Sequence, residues 1–168
     1  MKKFYLVLIL LVYPILSFAD DGIYFVDADI VLNNSNYGKK IVNKLKKINS
    51  NNILNIEKDE EELKKIENEI NKIKNIISED ELKKKISNLK NKIKIYREKK
   101  DIKFKEYNDL KNKELKQFFV KITPFIEEFM ENNSIKILLE KKNIFIANSK
   151  YDKTDALIEF LNKNIKND

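Results

Sequence analysis

Leu63 to Tyr96 reads LKKIENEINKIKNIISEDELKKKISNLKNKIKIY and contains two apolar series of helical spacing with one break between them. Leu63, Ile66, Ile70, Ile73 and Ile77 recur at steps of three and four, and Leu82, Ile86, Leu89, Ile93 and Tyr96 do the same. Such steps place one side chain per turn on one face, so each series is a narrow seam of heptad type. The step from Ile77 to Leu82 is five, which throws the second seam out of register with the first. Ser78-Glu79-Asp80-Glu81 supplies the reason. Its serine hydroxyl suits the amide of the third helical residue, and Glu81 reaches back to the serine amide, the reciprocal pair of a capping box. Two helices are therefore predicted, from about Asn36 to Ile77 and from Glu79 to Glu131, joined by a tip near residues 75–81.

Charge supports folding the two helices against each other. Residues 58–81 carry five Lys against nine Asp or Glu, and the mirror stretch 82–105 carries eleven Lys or Arg against two acids. Residues 36–57 carry five Lys and one Glu, and their mirror stretch 106–131 has four Lys against six acids. Opposite signs thus face each other twice in an antiparallel hairpin. Exposed pairs contribute only about 0.2 to 1 kcal/mol each, so the pattern speaks for register and orientation rather than for stability. At about 1.5 Å per residue the arms are on the order of 60 to 80 Å long, far more than a globular core requires.

The flanks have a different grammar. Gly22 to Val26 is a short β-rich run, and Asp27 and Asp29 end it and begin a turn. Pro124 bends the second helix. Around it stand Phe118, Phe119, Ile122, Phe125, Ile126, Phe129 and Met130, too many large apolar side chains for a two-helix seam, so they pack as core on a third surface. After Asn132-Asn133-Ser134, the runs Ile135 to Leu139 and Ile144 to Ala147 predict a β-hairpin around the charged turn Glu140 to Asn143. Asp152 caps a closing amphipathic helix carrying Ala156, Leu157, Phe160 and Leu161. The residues expected to build the core and assembly surface are Ile23, Phe25, Phe125, Phe129, Ile144, Ile146, Leu157 and Phe160.

Composition removes whole classes of chemistry. Among 168 residues there is no Cys and no His, so disulfides, thiolate nucleophiles, Cys/His zinc sites and imidazole catalysis are excluded. Two glycines, Gly22 and Gly38, cannot write a phosphate cradle or a dinucleotide fingerprint. Glu60, Glu61 and Glu62 point in different directions around a helix and form a solvated face, not a metal cage. No enzyme and no cofactor is expected. Charged residues make up 36% of the chain, a proportion that belongs to long solvated helices.

The first nineteen residues read as an address: Lys2 and Lys3, an apolar stretch from Phe4 to Leu16, then Ser17-Phe18-Ala19. Cleavage is expected between Ala19 and Asp20. The apolar run is about thirteen residues, short of the roughly twenty that span a bilayer, so residues 1–19 are taken as a signal peptide and the mature chain as exported to the periplasm.

Four segments together resemble a known family, the Skp (OmpH-like) periplasmic chaperones. They are I-Y-F-V-D-A-D-I-V-L-N-N-S from Ile23 to Ser35, Y-G-K-K from Tyr37 to Lys40, the charged helical hairpin, and I-F-I-A-N-S-K-Y-D-K-T-D-A-L-I-E-F-L-N-K from Ile144 to Lys163. The last stretch is the most specific, and Pro124 sits where many members have a proline. The resemblance implies an α+β fold: a long antiparallel helical hairpin, or coiled-coil tentacle, on a small β body, assembling as a homotrimer around a cavity for unfolded outer-membrane proteins. Residues 20–50 and 115–168 are then the oligomerisation body and residues 51–114 the tentacle.

The implied function is an ATP-independent holdase that binds unfolded outer-membrane or exported proteins and prevents their aggregation before membrane insertion. A basic arm attracts acidic polypeptides over about a Debye length, and Lys83, Lys84, Lys85, Lys90, Lys92, Lys94 and Arg97 form the steering cluster, although a solvated coiled-coil face has the same composition. The alternative is a structural coiled-coil spacer or envelope tether, for which the ending Tyr151-Asp152-Lys153-Thr154-Asp155 would be superfluous. Removal of residues 1–19 leaves five net positive charges, but export and the presence of a single Arg argue against a nucleic-acid partner. Anionic membrane lipids stay among the partner classes, though narrow seams do not make a broad lipid-facing stripe.

Overall fold

The computed structural model describes residues 22–166. The chain enters through Gly22, whose φ of +67° lies in the left-handed region open to glycine. Its carbonyl accepts from the amides of Lys136 (2.7 Å) and Ile137 (3.0 Å), which starts the sheet. Strand β1, Ile23–Val26, buries Tyr24, Phe25 and Val26.

Asp27 and Asp29 do not stand in a turn. The Asp27 carboxylate accepts from the Ile30 amide at 3.1 Å and caps a short helix, α1, Ala28–Asn34, with Asp29 in its first turn, where acidic groups suit the helix dipole. Ser35 ends α1 through its amide and begins the next helix through its hydroxyl, which accepts from Gly38 at 3.2 Å. Helix α2, Asn36–Ile73, stops four residues before the predicted Ile77. The reversal itself consumes those residues: the Ile76 and Ile77 amides both turn back onto the Ile73 carbonyl, and Lys74 to Ser78 make the tip. Both halves of the capping box form, with Ser78 and Glu81 bonded at 3.3 and 3.4 Å, and α3 runs from Glu79–Asn132. That helix continues through Pro124.

Strand β2, Ile137–Glu140, pairs with β1 in parallel, with Ile23 opposite Ile137 and Val26 opposite Glu140. The whole helical hairpin is the crossover that a parallel pair demands. The predicted β-hairpin is absent. Lys141–Asn143 form a 3₁₀ turn closed by the Ile144 amide on the Lys141 carbonyl, and Ile144 to Ala147 make no strand in the single chain. On the other edge of β1, the Lys153 amide donates to the Phe25 carbonyl at 2.9 Å. The final helix, α4, spans Thr154–Asn164. Asp152 bonds the Thr154 amide and hydroxyl two residues on rather than capping deeper in the helix. Thr154 Oγ1 in turn accepts from the Asp27 amide at 2.9 Å, which fastens the start of the chain to its end.

The core lies where α1, α4, the strands and the near ends of α2 and α3 meet. Phe118 is wholly buried, with Ile122, Leu157, Leu161 and Val31 almost so. The Phe118 ring stacks on Tyr37 with centroids 5.9 Å apart and meets Phe119 edge-on at 5.3 Å, while Phe129 meets Phe160 at 5.5 Å. The phenylalanine-rich stretch of α3 thus finds its third surface in α4.

Candidate functional site

Beyond the core, α2 and α3 continue alone as a two-helix arm. At about 1.5 Å per residue the 54 residues of α3 span about 80 Å. The seam between the helices carries Leu63, Ile66 and Ile73 half-buried and Ile70 buried, facing Leu82, Leu89, Ile93 and Tyr96, while Ile86 is 38% exposed. Three ion pairs cross it: Lys44 to Glu114 at 2.7 Å, Asp59 to Lys99 at 2.5 Å, and Glu62 to Lys92 at 3.4 Å. Near the core the cation comes from α2, and farther out it comes from α3, so both opposite-sign pairings of the charge pattern are realised across the seam.

A hydroxyl joins this crossing set. Tyr96 donates to Glu60 at 3.2 Å, and Glu60 also pairs with Lys64 one turn away at 2.9 Å. The Lys64 hydrogen bond, then its charge, then the Tyr96 bond hold the Glu60 carboxyl below its ordinary range, and Lys64 is raised in return. Burial, followed by the Glu60 charge, pushes the Tyr96 phenol up. All three groups keep their neutral-pH charge states, so this stretch of seam is insensitive to pH near 7.

The basic cluster lies on the far half of α3, and all seven members are exposed. Lys83 pairs with Glu79 and Lys94 with Glu98 along the helix, and Lys92 pairs across the seam. Lys84, Lys85, Lys90 and Arg97 form no ion pair among the described residues. The structure therefore divides the cluster into three side chains engaged in ion pairs, of which only Lys92 crosses the seam, and four whose charge is directed at solvent.

Apolar exposure is the feature that periodicity overlooks. Phe104 is 69% exposed and Ile53, opposite it on α2, is 47% exposed. With Ile56 and Tyr107 they floor a groove of about 260 Å³ whose rim is Asn49, Asn52, Glu57, Lys100, Asp101 and Lys103. The signal was present in the sequence as apolar residues off the seam. At the other end of the molecule, Phe145 is fully exposed and Ile146 is 83% exposed, so Ile146 is no part of the single chain's core. Ile144 is half-buried and Ile23 is 43% exposed. Phe25, Phe129 and Leu157 are buried, and Phe125 and Phe160 pack half-buried against the core.

No group of three or more Asp or Glu side chains among the described residues is arranged to hold a metal ion, and no described helix is long and apolar enough to cross a membrane. The sequence model of the OmpH-like outer membrane protein family matches residues 22–161, from the glycine that opens the sheet into the closing helix. The chain belongs to the OmpH-like family. Among solved structures, one described as an OmpH-like outer membrane chaperone, from Caulobacter crescentus, superposes with a TM-score of 0.73 at 21% identity, covering 86% of this chain and 85% of that one. At that identity the likeness speaks for the OmpH-like fold. No curated protein matches the sequence. The OmpH-like match begins after the expected signal peptide, and residues 1–19, with the cleavage point at Ala19 and Asp20, lie outside the described residues.

Proposed function

We propose that this OmpH-like protein is a periplasmic, ATP-independent holdase that binds unfolded outer-membrane or exported proteins and prevents their aggregation before membrane insertion. In this reading it works as a homotrimer, with residues 20–50 and 115–168 as the assembly body and residues 51–114 as the tentacle. The observation that carries it is the arm: a helical hairpin extending far beyond its core that presents both uncompensated lysines and large apolar side chains to solvent. A spacer needs neither.

Release without fuel requires many weak contacts rather than one strong one. Lysines directed at solvent attract acidic stretches over about 10 Å at 0.1 M salt, and apolar contact then adds short-range adhesion. Reversing Lys83, Lys84, Lys85 and Lys90 to Glu is expected to weaken client capture severalfold at low salt while shifting the urea midpoint little, because the only ion pair lost is the exposed Lys83–Glu79. Equal capture by wild type and variant at low salt would remove the steering role.

Assembly has a matching candidate surface. Strand β2 has one edge without a strand partner among the described residues, and in the segment that follows it Phe145 and Ile146 stand in water. Large exposed apolar groups next to an unpaired strand edge are what a subunit contact covers. Phe145→Asp combined with Ile146→Asp is expected to reduce the mass in light scattering from three copies of residues 20–168 to one. An unchanged trimer would place the contact elsewhere.

The holdase itself is tested by diluting a barrel protein out of urea into residues 20–168 without nucleotide and following turbidity and mass together. Suppressed turbidity with a defined complex supports the proposal. A stable oligomer that leaves aggregation unchanged overturns it in favour of the tether.

A further inference from the structure

The groove at the root of the arm is bounded on every side by structure already described. Toward the core, Leu45 is buried about 12 Å away along α2, taking 1.5 Å per residue. Toward the tip, the Asp59–Lys99 pair crosses between the helices. Between these limits Ile53, Ile56, Phe104 and Tyr107 make a floor of aliphatic and aromatic carbon. Phe104 is the most exposed aromatic side chain on the arm, and helix formation alone gives no reason for a phenylalanine in water.

The rim identifies the occupant. Among the lining residues two acids, Glu57 and Asp101, match two cations, Lys100 and Lys103, the latter also paired with Glu106, so the rim carries no strong net charge to select an anionic or a cationic ligand. Asn49 and Asn52 are half-buried at its edge and make no hydrogen bond among the described residues. A carboxamide both donates and accepts, which is what the unpaired N–H and C=O groups of an extended backbone require. The volume, about 260 Å³, is below the roughly 300 to 1,000 Å³ of sites that enclose whole small molecules and suits one or two side chains of a longer chain.

We infer that this groove is a docking site for uncharged, extended apolar polypeptide: a large side chain enters between Ile53 and Phe104 while Asn49 and Asn52 bond the neighbouring backbone. The inference rests on the holdase reading and adds to it a second mode of capture. Lysine steering fades with salt, whereas burial of apolar surface in a neutral groove does not. The protein then takes acidic stretches at the far half of α3 and apolar stretches at the root.

The test uses residues 20–168 and a fluorophore-labelled synthetic dodecapeptide of alternating Leu and Gln, which carries no charged side chain. Phe104→Ala is expected to weaken its binding about tenfold, the loss that follows removal of a central aromatic anchor. Ile53→Ser should act in the same direction, and binding by the wild type should be unchanged between about 50 mM and 500 mM salt. Both positions are exposed, so circular dichroism should show unaltered helix content. The chain contains no tryptophan, so Phe104→Trp supplies a single reporter whose emission should shift to shorter wavelength when the peptide docks. Wild-type binding that is absent, or equal in Phe104→Ala, overturns the inference, as does an emission shift produced by neutral phosphatidylcholine vesicles and not by the peptide. Suppression of barrel-protein aggregation is scored separately: its presence without peptide binding removes the groove and keeps the holdase, and its absence removes the holdase while the peptide titration still decides the groove.

Discussion

Phe118→Ala is expected to lower the unfolding free energy by about 3 to 5 kcal/mol, read from the urea midpoint at fixed protein concentration. The ring has no exposed surface, stacks on Tyr37 and meets Phe119 at an angle, so truncation removes both the transfer of the aromatic from water and its ring contacts. Its surroundings belong to two long helices and cannot close readily over the cavity. Set against a total of about 5 to 15 kcal/mol for an ordinary domain, the loss is a large share of the stability. Phe119→Ala is the internal control. That neighbour is 43% exposed, and its truncation should move the midpoint far less.

Gly38→Ala is expected to destabilise by at least about 3 kcal/mol, although helix propensity alone favours alanine by about 1 kcal/mol. The reason is approach, not backbone freedom. A Cβ at this position would lie 1.9 Å from the Leu32 carbonyl oxygen and 2.8 Å from the Ser35 hydroxyl, so α1 would have to swing away from α2 and the Ser35 cap would open. Backbone cannot yield as the end of a flexible side chain does. Urea unfolding decides between the two signs, and a stabilised variant would contradict the close packing of α1 on α2.

The arm was legible because its causes are local. Seam spacing, the five-residue step and the Ser78–Glu81 capping box all act within a few residues, and the tip formed where they intersect. The charge pattern was legible for the same reason once an antiparallel partner was assumed, and Lys44–Glu114 and Asp59–Lys99 realise it. What failed was the second strand of the expected β-hairpin; the run from Ile135 did give β2, over Ile137–Glu140. Ile144 to Ala147 has strand composition, but a hairpin also needs a turn that sends the chain back, and Lys141–Asn143 has no glycine to adopt the primed geometry. The partner of β1 arrives instead from 114 positions away, Ile137 on Ile23, which no local pattern encodes. Helix α1 was within reach: Asp27 before Ala28 is a good cap, but seven residues are too few for periodicity to register. At the candidate site, the lysines were visible as a run. Ile53 and Phe104 were visible only as separate apolar residues off the seam, because they meet only when two distant turns of different helices are brought side by side.

The staple between Asp27 and Thr154 joins residues 127 positions apart, so most of the polypeptide must exist before its two ends can meet. Closing so wide a loop from a random coil is entropically slow, whereas zipping the arm from its tip draws the ends together one turn at a time. The order of events follows: α2 and α3 pair first, and the sheet, α1 and α4 condense on the ends they deliver. Until that happens Tyr24 and Leu157, both buried at the finish, remain in water. An unfolded copy therefore passes through the same vulnerable condition as the clients proposed for it, and the arm's local sequence signals set how briefly.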